Sequence, residues 1–321
     1  MVLGGPSQAF PLALSRALFL RFGEGFPMST LASAWQPSVL VLVGATIALC
    51  LFAQGIVRLR RRGRRDHAGS ERVLLFVLAV AVSALALTSP LDAVAERYLL
   101  SAHMLQHLLI ADVAPALALV ALRGPLIFFL VPGFALRRLA EVRPLRIAFA
   151  FLLRPRVSLA AWALVLVAWH VPAAYDYTLR NQGVHELEHA SFVLVGLLVW
   201  FQLVDPARRK ELSVNQRLAY AGLLFGFGEV ISTVLLASPA PLYPTYASVH
   251  THLLGISSLQ DQRLAGAVMV VEQLLALGAC AAFLISSHAK TARPGALTRW
   301  VSLTRAAAQS PIASPLTGSK K

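Results

Sequence analysis

Two pairs of histidines are spaced four residues apart, which places both members of a pair on one face of an α-helix. The first pair is His103 and His107; the second is His185 and His189, within the segment His-Glu-Leu-Glu-His. Two imidazoles on one helix face can bind a single metal ion, and a ligand from another helix can complete the site. The spacing therefore predicts a metal site.

A fifth histidine, His170, ends another apolar segment in the sequence Trp-His-Val-Pro. Met104 is about 100° around the helix from its neighbour His103 and is a weaker ligand candidate. Two glutamates between the second pair could accept hydrogen bonds that orient the imidazoles. The additional candidates at this predicted site are Met104, Glu186, Glu188, His250 and His252.

The elements that carry these residues are predicted to be membrane helices. The 321 residues are 57 % hydrophobic and 14 % charged, with a mean hydropathy of +0.67, whereas a soluble domain has about 25 % charged residues. Apolar stretches of about twenty residues are long enough to cross a bilayer. We expect an all-α polytopic membrane bundle with seven spans, at 37–57, 73–88, 99–122, 158–179, 185–204, 218–237 and 264–286.

The distribution of basic residues predicts the orientation. Of the 29 Lys and Arg residues, 24 fall on one side of the predicted spans, which indicates an outer N-terminus and a cytoplasmic C-terminus. All five histidines then lie in the outer third of a span, in one layer. Because the charges sit in short loops, the net charge of +14 indicates helix orientation and not nucleic-acid binding.

We divide the chain into an outer N-terminal segment (1–36), a seven-span membrane domain (37–288) and a disordered cytoplasmic tail (289–321). Prolines 125, 132 and 144, together with several arginines, interrupt the stretch 123–157. This composition favours an interfacial or re-entrant segment with a short amphipathic helix, although an eighth span is an alternative.

Three acidic residues fall inside predicted spans, where an unpaired charge is costly. They are Asp112, Glu229 and Glu272, and no Lys or Arg lies at the same depth. Hydrogen bonds between helices are the favoured explanation, and ion passage is the alternative. Asp261 precedes the seventh span and is expected to cap its N-terminus.

Several motifs, in this order, resemble the polytopic CtaG-type cytochrome c oxidase assembly factors. The matching stretches cover about residues 35–288 and are His103-Met104-Leu105-Gln106-His107, Trp169-His170-Val171-Pro172 with Tyr175, His185-Glu186-Leu187-Glu188-His189, Leu242-Tyr243-Pro244 with Tyr246, and Asp261-Gln262-Arg263-Leu264-Ala265-Gly266.

The resemblance implies a multi-pass protein of the bacterial plasma membrane that helps to assemble a haem-copper oxidase of the respiratory chain. It implies oxidase subunits as partners, beside the membrane lipids. It also implies that copper is bound, with five histidines as its ligands: His103, His107, His170, His185 and His189. This sequence departs from the family pattern in the seventh span, where Val270-Val271-Glu272-Gln273 follows the motif that ends at Gly266, in place of Trp and Pro. His250 and His252 lie outside the motif.

Other functions remain open from the residues alone. Histidines on facing helices could hold haem, and a scaffold for an oxidase subunit would need no metal. The letters His-Glu-x-x-His also match the zinc-protease pattern, in which the glutamate is the general base. Di-iron hydroxylases use similar boxes, usually on the cytoplasmic side. We expect a protein that is not an enzyme.

Overall fold

The computed structural model describes residues 34–249 and 253–292, and this part of the chain is helical with no β-strand. A π-helical segment covers Leu109–Val113, and 3-10 turns occur at Arg65–His67, Gly124–Phe129 and Leu253–Gly255. The helices are α1 (Val39–Arg61), α2 (Ser70–Thr88), α3 (Pro90–Arg97), α4 (Leu100–Leu108), α5 (Ala114–Ala121), α6 (Gly133–Glu141), α7 (Arg143–Leu152), α8 (Pro155–His170), α9 (Pro172–Thr178), α10 (Gln182–Val204), α11 (Val214–Ala237), α12 (Pro244–Ala247) and α13 (Ser258–Ala292).

The predicted all-α polytopic bundle is confirmed. Within the described residues, six helices are long and apolar enough to cross a membrane, and α7 with α8, bent by 78°, makes a seventh if the pair is one span. Large apolar side chains such as Val39, Leu164 and Leu275 are at least two-thirds exposed on the sides of these helices, where lipid would cover them. The orientation of the bundle remains a prediction.

The fourth predicted span is wrong at its C-terminal end. We expected one helix over 158–179, but α8 ends at His170 and a separate helix, α9, begins at Pro172. Val171 adopts an extended conformation, because the proline ring disfavours the helical conformation of the residue before it. The break makes α9 a short element of its own, carrying Tyr175.

The third predicted span is continuous but not regular. Pro115 has no N–H to donate to the Ala111 carbonyl one turn earlier, and the π-helical segment lies at this point. The freed carbonyl faces Gly196 of α10, where a Cβ atom would lie 2.0 Å from the Ala111 oxygen. The glycine therefore permits a close approach of two spans directly below the histidine pairs.

The last span begins six residues before the predicted start, and Asp261 is not its cap. Ser257 and Gln260 form reciprocal hydrogen bonds of 2.8 and 3.3 Å at this helix start. Asp261 is buried and accepts hydrogen bonds from the backbone N–H groups of Leu100 (2.6 Å) and Ser101 (3.2 Å) and from the Ser101 hydroxyl. It thus caps α4, the helix that carries His103 and His107.

Between Arg123 and Pro155, two short helices, α6 and α7, replace the single amphipathic helix that we expected. Neither helix contains a buried residue. The predicted N-terminal segment and tail lie largely outside the described part of the chain, which lacks residues 1–33 and 293–321. These boundaries remain predictions.

Candidate metal centre

Four histidine side chains from α4 and α10 meet in the interior of the bundle, beside one buried glutamate. Five pairs of these rings have centroids 4.1 to 6.1 Å apart, and each of the four histidines is at most 8 % exposed. The ligand atoms of His103, His185 and His189, and those of His103, His107 and Glu188, lie within 4.8 Å of one another. We call these five residues the histidine cluster.

Hydrogen bonds outside the cluster determine which ring nitrogen carries the proton. The Tyr246 hydroxyl donates to the Ala95 carbonyl (2.5 Å), so it accepts from His103 Nδ1, at 2.9 Å. His185 Nδ1 lies 2.9 Å from a Glu96 carboxylate oxygen and donates to it. In both histidines the proton is on Nδ1, and the Nε2 lone pair is available to a ligand.

The remaining contacts leave several nitrogens without a hydrogen bond. His107 Nε2 lies 3.0 Å from His103 Nε2 and 3.7 Å from a Glu188 oxygen, so its N–H donates to His103. Among the described residues, no partner reaches His107 Nδ1 or the Nε2 atoms of His185 and His189. Buried polar atoms are usually satisfied, and converging imidazole lone pairs fit a bound transition-metal ion.

Three tyrosines cover the side of the cluster formed by His103. Tyr175 of α9 packs on His103, with ring centroids 5.1 Å apart, and on Tyr243, at 4.4 Å. Burial raises the pKa of the hydroxyls of Tyr175, Tyr243 and Tyr246, which keeps them neutral donors. The break at Pro172 and the loop before α12 bring these rings together beside His103.

A family model for the cytochrome c oxidase caa3 assembly factor (Caa3_CtaG) matches residues 50–291 of this chain, a range that contains the whole histidine cluster. The chain belongs to this family. No curated protein and no solved structure matches it. Membership establishes a role in cytochrome c oxidase assembly and implies contact with oxidase components.

Two other predicted ligands of this assembly factor that the structure describes, His170 and Met104, do not join the cluster. His170 donates from Nδ1 to the Leu166 carbonyl (2.7 Å), and a small cavity of about 30 Å³ lies between it and His107. Met104 lines the same cavity and is buried in an apolar cluster with Tyr175 and Met269. His250 and His252 lie outside the described residues.

Glu186 is exposed on a groove of about 680 Å³ that reaches His185 and His189 from the end of the bundle. Asp92 and Glu96 of α3 line the same groove. Burial raises the pKa of Asp92 to about 6, although a hydrogen bond from Gln106 partly offsets this rise. Three carboxyl groups thus surround the access to the second histidine pair.

Asp92 and Glu96 are not among the predicted site residues, although the sequence contains a signal for them. The two acids are four residues apart, directly after Ser89-Pro90, a common helix start. The stretch lies between the second and third predicted spans. In the structure α3 turns both carboxylates toward α4 and α10, where they bind Gln106 and His185.

The three acidic residues singled out inside the predicted spans, Asp112, Glu229 and Glu272, are not in ion pairs among the described residues. Asp112 accepts a hydrogen bond from the Trp200 indole N–H (2.9 Å), which agrees with the expected contact between helices. Glu272 lines an apolar groove on the other side of Trp200, and both its oxygens lack a hydrogen-bond partner there. One oxygen of Glu229 is likewise buried without a partner.

Proposed function

We propose that this assembly factor binds a copper ion at the histidine cluster and delivers it to an oxidase subunit at the outer face of the bacterial plasma membrane. The observation that carries the proposal is the convergence of His103, His107, His185 and His189, with buried nitrogens that no described residue satisfies. Family membership supports the link to the oxidase. Imidazoles are common copper ligands.

The arrangement supports an ion more than it supports haem. Haem ligation by facing histidines needs a slot for the macrocycle between the two rings. Here the rings contact each other directly, with His185 and His189 only 4.1 Å apart and His103 and His107 4.4 Å apart. Tyr175 and Phe192 close the adjacent sides.

Cation uptake requires the protons at the cluster to rearrange. The proton that His107 shares with His103 lies between two potential ligand atoms, and both lone pairs are free only when it moves. His107 Nδ1 and the Glu188 carboxylate are nearby positions for that proton. Binding is therefore expected to weaken as the pH falls, because protons compete with the ion.

The test is the metal and haem content of the full-length protein, purified in detergent after copper loading, by elemental analysis and absorption spectroscopy. We expect about one equivalent of copper or more and no Soret band. The double variant His103→Ala/His107→Ala should lose this copper, whereas His67→Ala, a histidine outside the cluster, should retain it.

Oxidase activity in membranes of cells that produce each variant gives a second readout. Loss of activity with the cluster variant, when its membrane insertion is normal, supports the proposal. A Soret band would instead favour haem binding. The absence of both copper and haem, with activity unchanged in the double variant, would contradict a metal site and leave a protein scaffold.

A further inference from the structure

A second groove, apart from the histidine cluster, runs along the side of the bundle between α5, α10 and α13. Its volume is about 810 Å³, and its walls are almost entirely apolar, including Leu117, Leu203 and Leu275. Glu272 lies partway along it, and Phe283 lies near its far end. The residues of α13 that line the groove run from Leu264 to Leu284, which corresponds to about 30 Å of helix.

Two arginines close the far end of this groove. Arg123, after α5, and Arg217, at the start of α11, both line it. The Arg123 guanidinium lies over the Phe283 ring, 5.1 Å from its centroid, and no described carboxylate forms an ion pair with it. Arg217 is bound to Asp205 at 2.7 Å.

The positive charge at this end exceeds what nearby carboxylates neutralise. Burial lowers the pKa of Arg123, and Arg208, Arg72 and Arg217 lower it further, whereas Asp205 is the one carboxylate that raises it. Asp205 is already engaged with Arg217, and Asp66 and Glu71 act on Arg72, so four arginines face three carboxylates and one positive charge remains in excess. An anion bound here would be stabilised.

Backbone contacts hold these four arginines, Arg72, Arg123, Arg208 and Arg217, in place as an arginine cluster. Arg72 donates from Nη1 to the carbonyls of Ala121 and Arg123. The Gly124 N–H donates to the Pro206 carbonyl (2.8 Å), which fixes the loop before α11, and with it Arg208, against the end of α5. The cluster is therefore part of the fold and not a chance meeting of surface side chains.

We propose that the groove is a binding site for an anionic glycerophospholipid, with its phosphate at Arg123 and Arg217 and an acyl chain along α13. An apolar groove along a membrane helix, with an excess of arginines over carboxylates at its end, matches an amphiphile with an anionic head. A zwitterionic lipid fits less well, because its ammonium group would be repelled by Arg72 and Arg208. Glu272 lies far from the phosphate position. The inference does not depend on copper binding.

Trp200 lines the groove and reports its occupancy. The full-length protein is reconstituted in bilayers that mix unlabelled phosphatidylcholine with brominated phosphatidylglycerol or brominated phosphatidylcholine, and quenching of tryptophan fluorescence is measured. A Trp200→Phe variant isolates the signal from this residue. We expect brominated phosphatidylglycerol to quench the Trp200 signal with at least fivefold higher apparent affinity.

Three variants decide the origin of this preference. Arg123→Gln should reduce it to less than twofold, Arg123→Lys should retain most of it, and Arg137→Gln, on the exposed surface of α6, should leave it unchanged. Equal quenching by both lipids in the wild type would overturn the proposal. So would an equal effect of Arg137→Gln and Arg123→Gln, or full displacement of phosphatidylglycerol by millimolar inorganic phosphate, which would indicate a site for a free anion.

Discussion

Replacing Glu96 by Gln tests whether the carboxylate that orients His185 contributes to copper affinity. The substitution keeps the shape of the side chain and removes the charge that lies 2.9 Å from His185 Nδ1. Loss of a carboxylate partner of a ligating imidazole typically costs 10- to 100-fold in metal affinity. Because the Glu96 side chain is 19 % exposed, water can partly replace it, and we expect a loss of about 10- to 30-fold, or roughly 1.4 to 2 kcal/mol.

The measurement is a competition titration of the purified protein against a chromogenic copper chelator at fixed pH. Glu186→Gln is the matched control, since it removes the same charge from the same groove, and Glu186 is exposed. We expect a change of less than about threefold for the control, and added salt should abolish it because exposed charges are screened. Equal losses for both variants would refute an orienting role of Glu96.

Three further substitutions test the packing and the electrostatics of the bundle. Gly196→Ala places a Cβ 2.0 Å from the Ala111 oxygen and should lower the thermal unfolding midpoint in detergent by the equivalent of about 1 to 3 kcal/mol or more. In the control Gly222→Ala, the added Cβ meets nothing within 4 Å, and the midpoint should not change. Equal midpoints for the two variants would contradict the close approach of the two spans. The raised pKa of Asp92 means that folding favours its protonated form, so stability should fall as the pH rises from about 4 to 6. Thermal unfolding midpoints measured across this pH range should show that fall in the wild type, and Asp92→Asn should remove the contribution of this residue. Asp261→Ala removes three hydrogen bonds to the start of α4 and should lower the unfolding free energy by about 2 kcal/mol or more. An unchanged unfolding free energy would contradict the role of Asp261 as a cap of α4.

The parts of the fold that follow from local pattern were predictable. Long apolar runs identified the spans, and the spacing of four residues correctly placed His103 beside His107 and His185 beside His189. These features depend on residues within one or two helical turns. The sequence carries them directly.

Contacts between distant segments were not predictable in this way. The partner of His185 is Glu96, about ninety residues earlier, and the partner of His103 is Tyr246, more than a hundred residues later. His170 ends its helix, as expected, but bonds to a carbonyl of that same helix. Residue type alone could not reveal which way that ring turns, because the break before Pro172 changes the path of the chain.

The freed carbonyl of Ala111 has a consequence for how relatives of this chain can diverge. Pro115 removes its hydrogen-bond donor, and Gly196 leaves the space into which it points. A relative that gains a side chain at the glycine position should also lose the proline, so that the carbonyl returns to its own helix. Such paired changes would appear as covariation between two positions eighty-one residues apart, which a family alignment can detect without any measurement on the protein.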